Sequence, residues 1–155
     1  MSTDFLGLEP LIVARLKEVA PEGVQVLTVN DLDGVREQSQ HTPSYQIHYQ
    51  QTTPADAADR APDVVTRQAV TQTWAVVVVT RNAKSQRSGS DARAQASELL
   101  GTAIESLLGW LPPGNQFRRL RLAVAPRPQY GAGGVVYFPL LFTTRMELSG
   151  ATARA

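Results

Sequence analysis

One stretch of the chain, residues 67–81, limits the possible folds more than any other. Its centre is the run Trp74-Ala75-Val76-Val77-Val78-Val79, which no polar residue interrupts. A strand that covers a core on one face alternates apolar and polar residues, whereas an unbroken apolar run is typical of a strand buried on both faces. The sequence therefore predicts that Arg67–Arg81 is a central strand of a sheet that is covered on both sides.

Two helices are predicted from apolar residues at helical spacing. The first runs from about Glu9 to Ala20 and is followed by Pro21-Glu22-Gly23, which would stop it. The second is the amphipathic stretch 92–111, which is followed by Pro112-Pro113-Gly114. Trp74 and Trp110 are expected to pack beneath these helices.

Shorter strands are predicted on either side of the second helix. They cover residues 24–29, 45–49, 119–124 and 136–142. Pro139 indicates that the last of them is an edge strand or contains a bulge, because proline cannot donate a ladder hydrogen bond. The order of elements predicts an α+β fold, with a mostly antiparallel sheet of four to five strands and two helices packed on it.

The length of 155 residues predicts a single domain over residues 1–155, with an ordered core at about 8–148. Residues 52–66 and 82–90 are polar and are expected to form exposed loops. The chain has no cysteine, which excludes disulfides and thiolate chemistry, and no apolar run long enough to span a membrane.

The formal net charge of +1 conceals an asymmetry between two parts of the chain. Residues 1–63 carry ten acidic and four basic side chains, and residues 64–155 carry four acidic and eleven basic ones. Such a division favours either an anionic partner or copies that dock through unlike surfaces. A fold that mixes the two parts into one evenly charged surface is the alternative.

Motifs that carry chemistry are missing from the sequence. His48 lies on the polar side of a predicted strand, without partners at metal-ligand spacing. Asp31 and Asp33 suit a turn, and Gly131–Gly134 precedes a strand rather than a helix, which argues against a phosphate site. We therefore predict no catalytic residue, no cofactor and no metal, although an enzyme whose pocket forms only in the fold stays an alternative.

A basic cluster is the strongest candidate for an interaction surface. Arg119 and Arg121 are predicted on one face of a strand, with Arg118 beside them. Lys84 and Arg87 form a second basic group in the polar loop. Arginine pairs readily with carboxylates and phosphates, so the cluster could contact a second subunit or nucleic acid, or be a solvated sheet face.

Four segments of the sequence, residues 11–17, 74–82, 107–113 and 137–142, form a recognisable series. They are an opening helix, a strand of the form W-x-V-x-V that ends near Arg-Asn, the end of a long helix that closes on a Gly-Trp-Pro-like turn, and a last strand with an aromatic-Pro-Leu-Phe pattern. In this order they resemble the tail terminator proteins of Mu-like contractile-tailed phages, and the resemblance extends from about residue 8 to 147.

The resemblance implies a structural protein without catalytic residues, cofactor or metal. Such a protein forms a hexameric ring on the finished tail tube, stops the polymerisation of tube and sheath, and joins the neck or head. Its partners would be further copies of itself, tail tube and sheath proteins and neck proteins, with weak contact to passing DNA and none to membranes. It would be assembled in the bacterial cytoplasm and remain in the virion tail. The alternatives are a nucleic-acid-binding module that uses the basic residues, or another neck or baseplate component.

Overall fold

The computed structural model describes residues 3–28, 41–55, 67–81 and 90–150. This part of the chain has an α+β fold with two helices and a six-stranded sheet, which confirms the predicted class and adds a strand to the predicted number. In chain order the elements are α1 (Leu8–Val19), β1 (Gln25–Thr28), β2 (Ser44–Pro54), β3 (Arg67–Arg81), α2 (Ser90–Leu107), β4 (Arg121–Val124), β5 (Gln129–Tyr130) and β6 (Val135–Ser149).

The sheet has the strand order β1-β2-β3-β6-β4, and β5 also pairs with β6. The short β1 runs parallel to β2, and every other pair is antiparallel. β3 lies between β2 and β6 and pairs with β6 from Arg67 to Arg81. The sequence prediction of a central strand is therefore confirmed.

Both faces of β3 are buried near its centre. Trp74, Val76 and Val78 belong to the main hydrophobic core, while Ala75 and Val79 are buried on the opposite face. Successive residues of a strand point to opposite faces, so an unbroken apolar run can bury both of them. This burial explains why the run lacks the apolar–polar alternation of a half-exposed strand.

The two helices bury regularly spaced apolar residues against one face of the sheet. From α1 these are Leu8, Ile12 and Leu16, and from α2 they are Ala96, Leu99, Ala103 and Leu107. Spacings of three and four residues keep such side chains on one side of a helix. A buried hydrogen bond joins the layers, because Tyr45 Oη of β2 donates to Leu99 O of α2 at 2.6 Å.

Several boundaries differ from the sequence prediction. α2 ends at Leu107 instead of residue 111, because Gly109 turns the chain with a φ of +76° before the prolines are reached. β2 continues to Pro54, so residues 52–54, predicted as loop, are strand. Likewise Ser90, predicted as loop, begins α2. The predicted turn at Asp31 and Asp33 and most of both predicted loops lie outside the described residues.

The expectation that Pro139 marks an edge strand is wrong. β6 is paired on both sides, with β3 on one and with β4 and β5 on the other. β4 reaches only Leu141, and β5 begins its pairing at Tyr137, so Pro139 lies at the gap between them. Its missing N–H therefore removes no ladder bond on that side. A bulge does occur nearby, but in β4, between Leu122 and Val124.

The two tryptophans occupy different environments. Trp74 is fully buried beneath the helices, as predicted. Trp110 is only partly buried, because α2 has already ended and the residue lies at the rim of the core. The guanidinium of Arg15 lies 5.6 Å from the centre of its ring.

Neither described helix is long and apolar enough to cross a membrane.

Candidate functional site

The turn after α2 fixes the position of the predicted basic cluster. Gly109 N–H donates to Leu120 O at 2.8 Å, and Leu120 N–H donates to Trp110 O at 3.0 Å. Phe117 and Leu120 are both buried in the core. The two buried side chains anchor the segment 117–120, while its arginines remain at the surface.

Arg118 is attached to β6 through its backbone. Its N–H is 3.0 Å from both Arg145 O and Thr144 Oγ1, and the Thr144 hydroxyl donates to Arg118 O at 2.7 Å. Thr144 itself is buried, so this hydrogen-bonded link is shielded from water. The guanidinium of Arg118 is therefore carried on a rigidly held backbone.

A groove of about 680 Å³ lies beside this segment, and we call it the arginine groove. Four exposed arginines line it together with threonines and one leucine. The lining residues are Arg118, Arg119, Arg121, Arg145, Thr71, Thr143, Thr144 and Leu111. No carboxylate is among them, so the groove is strongly positive and suits an anionic partner.

The predicted pair Arg119 and Arg121 does meet at this site, although only Arg121 belongs to β4. Arg119 precedes the strand, and its Nη1 donates to Gly109 O at 2.8 Å. Among the described residues, Arg118 and Arg121 have no carboxylate oxygen within 4 Å; the ion pairs found there are Arg15–Glu18 and Arg67–Glu147. Their guanidinium groups are therefore available to a partner.

Arg145 is the groove residue that sequence reasoning missed. On β6 it alternates with the buried Thr144 and Met146, so it points to the face opposite the helices. The pairing of Arg121 with Thr143 brings β4 next to it. The alternation was visible in the sequence, but the strand order that places Arg145 beside the cluster was not.

The other two predicted interface residues, Lys84 and Arg87, lie outside the described residues. The structure therefore tests neither their place nor their relation to the arginine groove. They stay predictions from the sequence, which places them in a polar segment before α2.

The residues with altered ionisation have structural roles. Burial, together with the charge of Glu98, raises the pKa of Tyr45 to about 12. The Tyr45 hydroxyl donates its hydrogen bond to Leu99 O of α2. Burial lowers the pKa of His48, whose Nε2 lies 3.4 Å from Gln46 Oε1. Within the described ranges, no three His, Asp or Glu side chains come together as metal ligands would.

A second cavity of about 680 Å³ lies between the start of α1 and the turn after Pro113. Most of its lining consists of glycine, proline and apolar residues, among them Pro10, Leu11 and Phe117. Gln116 Nε2 closes one side by donating to Asp4 O at 2.7 Å. Its lining offers no cluster of charged groups comparable with that of the arginine groove.

The family model described as phage tail terminator protein matches residues 1–152. The chain belongs to the phage tail terminator family. This is a family of structural tail proteins and not an enzyme class. The resemblance seen in the sequence is thereby confirmed at the level of the family.

Among solved structures, the chain is similar to one in a structure described as "Virion of native gene transfer agent (GTA) particle". The two are 15% identical, the alignment covers 92% of this chain and 88% of that chain, and the TM-score is 0.49. No curated protein matches the chain.

Proposed function

We propose that this chain caps the finished tail tube of a Mu-like contractile-tailed phage or a related prophage. As a ring, with six copies expected, it stops the polymerisation of tube and sheath and offers the surface that joins the neck or head. It is assembled in the bacterial cytoplasm and remains in the virion tail. The observation that carries the proposal is the family match over residues 1–152.

Within this role, the arginine groove is the proposed contact surface, with Lys84 and Arg87 as further candidates. A protein at the end of a tube must bind its neighbours through exposed, rigidly held groups. Arg118 and Arg121 meet that requirement, since their backbone is fixed by Thr144 and by the ladder to β6. The contact would involve acidic groups of other tail proteins or of further copies of the chain.

Deletion of the gene from its phage or prophage tests the proposal. We expect tubes and sheaths that grow past their normal length and heads that lack tails, because nothing stops polymerisation or joins the two parts. Electron microscopy of lysates measures both effects, and a plasmid copy of the gene serves as the control by restoring normal particles. Tails of normal length joined to heads would refute the proposal.

Nucleic-acid binding is the second candidate function, since four guanidinium groups line one groove. We expect only weak binding, because the sequence as a whole is near neutral and the groove lining contains no aromatic side chain for base stacking. The amount of duplex DNA that the immobilised protein retains at rising ionic strength measures the strength of this binding. Tight retention that falls steeply with salt and is lost in Arg118→Glu/Arg121→Glu would favour the second function.

A further inference from the structure

A second surface of the chain has the charge opposite to that of the arginine groove. It lies on α2, where the only ionisable side chains between Gln95 and Trp110 are Glu98 and Glu105, both exposed. They are seven residues apart, so they lie on one side of the helix, about 10 Å apart along its axis. Gly101 lies on the same side, Leu108 follows the last residue of α2, and we call these four residues the acidic stripe.

The acidic stripe has a gap between its two glutamates. Gly101 has no side chain there, and a methyl group added to it would meet no atom outside its own stretch of helix within 4 Å. Leu108, directly after the last residue of α2, is 53% exposed. The stripe therefore combines two carboxylates, a gap and one exposed apolar side chain.

The arginine groove has the complementary features. Its guanidinium groups suit the carboxylates of the acidic stripe. Leu111, which lines the groove and is 47% exposed, suits an apolar contact with Leu108 of the stripe. Thr71, Thr143 and Arg145 face away from the helices, because they alternate along β3 and β6 with residues of the buried core. α2 packs on the other face of the sheet.

The two surfaces do not pair within one copy. Neither Glu98 nor Glu105 forms an ion pair with Arg118 or Arg121, although all four side chains are exposed. Two complementary surfaces at different places on one chain produce head-to-tail contacts between copies, and such contacts close into rings when the rotation between neighbours permits.

We propose that the arginine groove of one copy binds the acidic stripe of the next copy. The inference rests on the proposed function, because it supplies the contact from which a ring would be built. It goes further by assigning each side of that contact to particular residues. The occupant of the groove is thus a second copy of this chain, and the recognition chemistry is guanidinium with carboxylate.

Charge reversal on each surface tests this proposal. The groove variant is Arg118→Glu/Arg121→Glu, and the stripe variant is Glu98→Arg/Glu105→Arg. Arg119 is left unchanged because it holds the turn at Gly109. Light scattering and sedimentation at low ionic strength measure self-association of the full-length chain. Each variant should associate at least about tenfold more weakly than the wild type, because like charges then face each other.

Mixing the two variants is the decisive step. The acidic stripe of the groove variant then meets the unchanged basic groove of the stripe variant. The other contact, between the acidic groove of the first variant and the basic stripe of the second, is also attractive. An equimolar mixture should therefore regain association. Lys17→Glu/Arg127→Glu makes the same change in net charge as the groove variant, at exposed sites outside both surfaces, and should associate like the wild type. Far-UV circular dichroism checks that every variant is folded.

Several outcomes would overturn the proposal. These are a wild type that stays monomeric at every concentration, variants that associate normally, or a mixture that does not recover. A groove variant that keeps self-association but loses DNA retention would identify nucleic acid as the occupant instead. Tail length after gene deletion is independent of all these results, so the proposed function can fail or stand separately.

Discussion

At the scale of single residues, Trp74 organises the centre of the core. Its side chain is fully buried, and its ring meets that of Tyr49 edge-on with the centroids 5.4 Å apart. The indole Nε1 donates to Gln72 Oε1 at 2.7 Å, and Gln72 Nε2 donates to Phe5 O at 2.8 Å. The buried glutamine thus satisfies the indole and attaches the segment before α1 to the sheet.

The two tryptophans should differ in their contribution to stability. We expect Trp74→Ala to lower the free energy of unfolding by about 3–5 kcal/mol, because it empties a fully buried site. Trp110→Ala should cost less, since that ring is only partly buried. Denaturant titration measures both, with Tyr130→Ala, at a residue 70% exposed, as the control. A change within about 1 kcal/mol for Trp74→Ala would contradict the assigned core.

Replacement of Gln72 tests the buried hydrogen-bond chain. In Gln72→Leu the Trp74 N–H loses its acceptor while it remains buried, and we expect a loss of about 1–3 kcal/mol in the free energy of unfolding. Gln68→Leu makes the same chemical change on the same strand at an exposed position and should have little effect. Equal stabilities of the two variants would disprove the role given to Gln72.

His48 predicts how stability changes with pH. Burial lowers its pKa in the folded protein below the ordinary value of 6.5, so the unfolded chain takes up the proton first as the pH falls. The stability that neutral His48 contributes is fully present above pH 6.5, and it is lost as the pH falls from there towards the pKa of the folded state. His48→Gln should therefore lose less stability than the wild type between about pH 7 and pH 5. Thermal unfolding across this range measures the difference, with His41→Gln as the companion variant; a wild-type slope in His48→Gln would rule the explanation out.

At the scale of elements, the end of α2 determines where the arginine groove lies. The helix stops at Leu107, and the left-handed Gly109 redirects the chain so that residues 118–121 reach the edge of β6. Arg15 of α1 supports this end, since its Nε donates to Ser106 O at 3.0 Å. A guanidinium there also interacts favourably with the carbonyl end of the helix dipole.

Two glycine substitutions in this region should have opposite effects. Gly109→Ala forces a side chain into the left-handed region and should lower the free energy of unfolding by about 1 kcal/mol or more. Gly101→Ala lies inside α2 with open space around the added methyl group, so it should raise stability by about 0.5–1 kcal/mol. Parallel thermal melts measure both, and effects of the same sign would contradict the assigned end of α2.

Elements with a strong local pattern could be predicted from the sequence, and those that depend on distant partners could not. The valine run identified β3 because burial on both faces leaves no alternation to misread. The end of α2 was placed too late, since the prolines at 112 and 113 are obvious stops while the conformation of Gly109 is not visible in the sequence. Pro139 was misjudged because the gap between β4 and β5 is a property of the assembled sheet.

At the scale of the whole molecule, the division of charge along the sequence does not separate the two charged surfaces, because both lie within residues 64–155. The arginine groove gathers basic residues from the segment before β4, from β4 and from β6, and the acidic stripe lies on α2. The sequence predicted three of the four groove arginines. It could not predict Arg145, because only the antiparallel pairing of β4 with β6 brings that residue to the others.

The proposed function leads to one expectation for the whole particle: the chain is found at one end of the tail. A gold-labelled or tagged copy in purified virions locates it by electron microscopy, with the untagged phage as the control for background label. Label is expected only at the end of the tail that joins the head. Label along the tube, at the baseplate end, or no label on tails at all would contradict it.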